Sequence, residues 1–142
     1  MRQALILVDI QNDYFSNGHM ALVGMEQAAS NAATVLQKFR EQRLPLFHIQ
    51  HVSTRPGAHY FVPGTPGVEI HAAVAPLAGE PIAQKHFPNA FRETPLLGWL
   101  KDAKVEEVVI CGAMTHMCID ATTRAAFDFG FHCQVVEDAC AT

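Results

Sequence analysis

Three residue types in this chain are suited to chemistry, and they lie far apart in sequence. Cys118 follows Val108, Val109, Ile110 and Cys111, a run that reads as a short buried strand breaking at Gly112 into a turn. The turn opens a helix led by Cys118. A thiol in the first turn of a helix, at the carboxyl end of a parallel strand, faces aligned backbone N–H groups and the positive end of a helix dipole. Both favour thiolate over thiol. Asp9 closes the apolar run QALILVD, and Lys85 closes PIAQK. In a parallel sheet the carboxyl ends of the strands share one edge, so all three can meet. A cysteine nucleophile needs a base to take its proton, and Asp9 can be that base. Lys85 can hold both charges and keep Asp9 ionised. An acyl transfer also needs oxyanion donors, which the N–H groups of the Met114–Cys118 turn are placed to supply.

The elements that must position these groups follow from hydrophobic patterning. Residues 3–9 are a near-continuous apolar run, as in a parallel strand covered on both faces. Residues 26–42 place Ala28, Ala32, Val35, Leu36 and Phe39 at helical spacing, and 44–51 give the second strand. A third strand spans 81–85. Helix then begins near Thr94, with Thr94 as its cap and Pro95 at its first position. The Cys118 helix runs to Gly130, and 131–136 form a fifth strand. Strands alternating with helices predict one α/β domain over 1–142, with right-handed crossovers and a mostly parallel sheet. Residues 53–80 are rich in Gly and Pro. A loop of that length is a lid, a substrate-facing wall or a mobile segment. A sheet ending on its last strand leaves one face without a covering helix. A further C-terminal segment is expected to supply it, with a neighbouring subunit as the alternative.

Composition narrows the partners. The formal net charge is −4 and 17% of residues are charged, which gives no electrostatic reason to expect nucleic acid or an anionic membrane. No apolar run approaches the roughly 18–20 residues of a membrane span. The segment MRQALILVDIQND turns acidic too soon for a secretory signal and reads as a buried strand. The four cysteines form no CxxC pair, so free thiols in a cytoplasmic protein are expected. Cys111, Cys133 and Cys140 sit in or beside apolar runs as small hydrophobes.

Three separated blocks resemble one family: LILVDIQNDYF (Asp9, Gln11, Asp13, Phe15), QKHFPNAFRETPLLGWL (Lys85, Phe87, Phe91, Thr94, Leu96, Leu100) and VVICGAMTHMCIDATTRAAFDFGF (Gly112, Thr115, Cys118, Thr122, Ala126, Gly130). They occur in the order found in the isochorismatase-like cysteine hydrolases, the superfamily of nicotinamidases, N-carbamoylsarcosine amidase and related amidases, and cover nearly the whole chain. The resemblance implies a three-layer α/β/α Rossmann-like fold with strand order 3-2-1-4-5, normally followed by a further helix and sixth strand. It implies that Asp9, Lys85 and Cys118 form a catalytic triad. It also implies a cis peptide at Ala113–Met114, with the Met114 and Cys118 N–H groups as the oxyanion hole. Tyr14 matches a pocket-lining aromatic position, and His116 lies where relatives carry a polar residue that can touch substrate.

The implied reaction is cysteine-dependent hydrolysis of a C–N bond in a small amide, ureido compound or lactam. Vinyl-ether hydrolysis on the same fold and a non-catalytic binding protein are the alternatives. No cofactor is expected. Nicotinamidases bind a metal through an Asp-x-His pair after strand two, where this chain has HIQHVS. His48 and His51, three apart in a strand, point to opposite faces and cannot share one ion. His59 and His71 could complete a site only if the long loop folded back. His86 is read as packing, Arg124 as surface or interface, and Asp138 as structural. The expected partners are a small-molecule substrate and further copies of the chain, since homo-oligomers are usual in this family.

Overall fold

The sheet is built outward from β1 (Gln3–Val8), which is buried along its length after Gln3. The structure is a computed structural model describing every residue from Met1 to Thr142. After β1 the chain runs through a 3₁₀ turn at Asn12–Tyr14 into α1 (Met25–Glu41), then β2 (Leu46–His51) and β3 (Ile82–Lys85). α2 (Leu96–Asp102), β4 (Glu107–Ala113), α3 (Asp120–Asp128) and β5 (His132–Ala141) complete it. The five strands are all parallel, in the order β3-β2-β1-β4-β5. This is an α/β fold with the topology expected from the alternating pattern.

Alternation along β1 divides the core in two. Leu5 and Leu7 face α1, where Ala28, Ala32, Leu36 and Phe39 present a buried stripe. The three buried alanines of that helix (Ala28, Ala29 and Ala32) let it lie close to the sheet. Ala4, Ile6 and Val8 face the opposite layer, against Leu96 and Leu100 of α2 and Ala126 of α3.

Two strands run further than their sequence suggests. β4 continues through Gly112 to Ala113. Gly112 is a close-approach residue rather than a strand break. Its φ is +123°, and a Cβ there would stand 2.0 Å from the Val8 carbonyl oxygen. β5 continues past Val136 to Ala141. Its ladder with β4 shifts between the Ile110–Val135 and Gly112–Cys140 pairs, so residues 136–139 bulge opposite Cys111. Glu137 and Asp138 look like the end of a strand in sequence. On an edge strand they simply face water, and both are exposed. At the start of α2, Pro95 stands at the cap position, while the Thr94 hydroxyl accepts the Leu96 N–H at 3.3 Å.

Candidate active site

Register brings the strand ends together. β1 and β4 pair Val8 with Gly112, and β2 and β3 pair His51 with Lys85, so Asp9, His51, Lys85 and the turn after β4 share one edge. Asp9 leaves the sheet with φ +53°, a left-handed conformation that aspartate tolerates better than most residues. This turns its side chain in beneath the Cys118 loop. Asp9 and Lys85 are both fully shut from solvent, and Cys118 is 6% exposed.

Lys85 is the hub. Its Nζ lies 2.9 Å from Asp9 Oδ2 and donates to Cys118 Sγ at 3.2 Å, His51 Nδ1 at 2.8 Å and the Phe87 carbonyl at 3.0 Å. Three donors thus serve three aligned acceptors. Asp9 is paired with Lys85 by charge and proximity, and neither carboxylate oxygen has an aligned hydrogen-bond donor. Its lone pairs are therefore open to the Cys118 proton, and Asp9 and Cys118 offer atoms within 4.8 Å of each other. The segment after β3 is docked on α3 by the Ala90 N–H, which donates to the buried Thr122 hydroxyl at 3.0 Å.

Cys118 sits in a wide turn, Thr115–Ile119, that precedes α3 rather than in the first turn of the α-helix itself. The Met114 carbonyl receives both the Met117 N–H at 3.0 Å and the Ile119 N–H at 3.1 Å, the second closing a π-type ring. The peptide bond between Ala113 and Met114 is cis, and the Met114 N–H donates to no group of the chain. Burial opposes the preference for thiolate expected from a helix start. Burial, then the negative charge of Asp9, push the Cys118 thiol up to about 12, and the Lys85 ammonium only partly opposes them. Burial also raises Asp9, against the pull of Lys85. Burial therefore favours the protonated form of both groups, and the Lys85 ammonium is the charge that opposes this at each of them.

A cavity of about 60 Å³ opens over the sulfur, walled by Tyr14, Tyr60, Phe61, Met114, Met117 and Cys118. His51 and Pro88 complete it. Tyr60 and Phe61 come from the long 53–80 segment, which is fastened as a wall. Asp13 accepts the Phe61 N–H at 2.7 Å, and Gln11 and Gln50 both donate to the Val68 carbonyl. Tyr14 is 2% exposed and packs edge-on to Phe61, with ring centroids 4.7 Å apart. His116 is not among the cavity's walls. It is exposed and hydrogen-bonds the Thr142 hydroxyl, because its place on the outer side of the wide turn directs it toward the end of β5. His51, weighed in sequence only as a metal ligand, is the residue whose place in the cavity went unread. Its signal was position: it is the last residue of β2, level with Lys85 on β3.

The isochorismatase domain model matches residues 3–142. The chain belongs to the isochorismatase family. It is 55% identical over 142 residues to the uncharacterized isochorismatase family protein YddQ of Bacillus subtilis, covering 100% of this chain and 79% of that protein. An isochorismatase-family structure from Oleispira antarctica superposes with a TM-score of 0.95 at 51% identity, covering 99% of this chain and 76% of that one. N-carbamoylsarcosine amidase from Thermoplasma acidophilum superposes with a TM-score of 0.94 at 26% identity, covering 100% and 85%. The isochorismatase family is one of hydrolases, so an enzymatic role and C–N bond chemistry in general are supported.

The resemblance to nicotinamidases implies a metal beside the cysteine, and the side chains here do not fit one. Asp9, His51 and Cys118 converge, but the Lys85 ammonium touches all three and repels a cation. His51 spends Nδ1 on that ammonium. His48 is buried against Glu80 at 3.0 Å, and Glu80 is gripped by Arg40 through two 2.8 Å bonds. His71 accepts the Ala73 N–H and stacks on Phe15 at 3.8 Å. Arg124 is an exposed partner of Asp120, His86 bonds the Val52 carbonyl, and the Asp138 carbonyl accepts from Asn31. All four cysteines are free. No helix is long and apolar enough to cross a membrane.

Proposed function

We propose that this protein is a cysteine-dependent, metal-independent hydrolase of a C–N bond in a small amide, ureido compound or lactam. The observation that carries the reading is the buried thiol, carboxylate and ammonium sharing one contact shell under a small, mostly apolar cavity. The amidase among the structural relatives supports the bond class.

Asp9 takes the Cys118 proton as sulfur attacks the carbonyl carbon, so a C–S bond forms and the carbonyl π pair moves to oxygen. The N–H groups of Met114 and Cys118 receive the oxyanion. Collapse of the tetrahedral adduct breaks the C–N bond, and Asp9 returns the proton to the departing nitrogen. Water then attacks the thioester while Asp9 accepts its proton. Breaking the C–S bond releases the acid, and the sulfur recovers its proton. Lys85 keeps Asp9 ionised between steps and steadies the sulfur as charge builds on it.

A panel of small amides scored by ammonia release tests this, with iodoacetamide as the control. Turnover that stops when Cys118 is alkylated or changed to Ala, with the fold intact by circular dichroism, is the expected outcome. Full activity after alkylation would overturn the cysteine mechanism, and normal thiol reactivity with no product from any amide would leave a binding protein. The free thiols support a cytoplasmic setting, and the exposed Phe127, Phe129 and Val135 support association between copies of the chain.

A further inference from the structure

The cavity walls are aromatic, Met and Pro side chains, with few polar groups to orient a substrate, and His51 is one of them. Its backbone is clamped, since the N–H donates to Gln11 Oε1 at 2.8 Å and the carbonyl accepts from Gln11 Nε2 at 2.9 Å. Its ring is clamped as well, by Lys85 Nζ at 2.8 Å from Nδ1. An ammonium has only hydrogens to offer, so Nδ1 must be the acceptor. In an uncharged imidazole the hydrogen then resides on Nε2. The Nε2–H makes no hydrogen bond within the chain, although its residue walls the cavity beside Cys118.

We infer that His51 is a substrate-recognition residue: Lys85 fixes its tautomer, and its Nε2–H selects small uncharged amides that carry a hydrogen-bond acceptor beyond the scissile carbonyl. This rests on the hydrolase reading of the same cavity. Burial, then the Lys85 charge, lower the imidazole to about 3, so the ring stays uncharged across the physiological range. An anionic group placed beyond the scissile carbonyl would shed its water for a wall made mostly of rings and thioethers, which is costly. A neutral ether oxygen or ring nitrogen gives up less water and satisfies the same donor.

The probes are two matched pairs: methoxyacetamide with butanamide, differing by O for CH₂, and pyridine-3-carboxamide with benzamide, differing by N for CH. Binding is measured on the Cys118→Ala protein by calorimetry. The acceptor-bearing member of at least one pair is expected to bind about 3- to 10-fold more tightly. That preference is expected to vanish when His51→Phe is added. Equal affinities within both pairs, no binding by any probe, or a preference that survives His51→Phe would each overturn the inference. Should the double variant not fold, ¹⁵N spectra of the wild-type imidazole decide it: an Nδ1–H tautomer overturns it, and an Nε2–H signal that shifts with the acceptor probe alone supports it. None of these readouts needs turnover, so their failure differs from failure of the hydrolase reading, which appears as absent or Cys118-independent ammonia release.

Discussion

The Lys85 ammonium stands 2.9 Å from the Asp9 carboxylate with both side chains wholly removed from solvent. Two buried opposite charges at that distance need each other, because taking either alone out of water costs several kcal/mol. The pair gives the site a fixed electrostatic floor on which the Cys118 proton can shift.

Replacing Asp9 with Asn separates thiol reactivity from catalysis. Burial, then the Asp9 charge, raise the Cys118 thiol, so removing that charge leaves only burial to oppose Lys85 and lowers the thiol. Alkylation of Cys118 by iodoacetamide at neutral pH should speed up, by about 3-fold for each unit the pKa drops, since the gain in thiolate outweighs its lower nucleophilicity. Ammonia release should fall by about 10²–10⁴-fold, since no group remains to carry the proton to the leaving nitrogen. Parallel loss of both rates would contradict the base role of Asp9.

Lys85→Met removes the other half of the pair. Urea unfolding at neutral pH should show a loss of about 3–5 kcal/mol, the range for breaking a buried ion pair on one side. The deficit should shrink in acid. Burial already raises Asp9, and without Lys85 the folded state holds that proton more tightly than the unfolded chain does. Stability of the variant therefore recovers as pH falls through the folded-state value. A deficit that does not change with pH would mean that Asp9 is not the group left stranded.

Gly112→Ala drives a methyl group into β1. The added Cβ would meet the Val8 carbonyl at 2.0 Å, in a backbone conformation of φ +123° that side chains rarely adopt. Neither obstacle can yield without moving a strand, so a loss of about 2–5 kcal/mol is expected in chemical denaturation. A change below about 0.5 kcal/mol would show that β1 and β4 do not approach so closely beneath the site.

Glu80→Gln should alter the acid limb of the stability curve. Burial pushes this carboxyl upward, but bonds from Arg40, the Leu77 N–H and His48 outweigh it and bring it to about 2. A lowered carboxyl stabilises the fold above its ordinary value and loses that contribution as pH falls. The wild type should therefore lose stability between 4.5 and about 2. The variant should be less stable at neutral pH and flatter across that window, as followed by thermal melts. Identical slopes would exclude the Glu80 cluster as the source of acid sensitivity.

Much of this protein is legible in its residues because parallel sheets follow simple local rules. Apolar runs such as QALILVD can be covered on both faces only in the middle of an α/β sheet, and helical spacing from Ala28 to Phe39 names the stripe that covers one side. Those two facts direct Asp9, Lys85 and Cys118 to one edge. What the sequence could not determine are quantities that depend on distance between remote segments. Gly112 reads as a break because its reason for being glycine is the Val8 backbone on another strand. Cys118 reads as biased toward thiolate by its place near a helix start, whereas burial and the Asp9 charge, both tertiary, push the thiol up. The tertiary structure also decided between two histidines. His116, nearer the cysteine in sequence, turns outward to Thr142, and His51 enters the cavity because the β2–β3 register sets it level with Lys85.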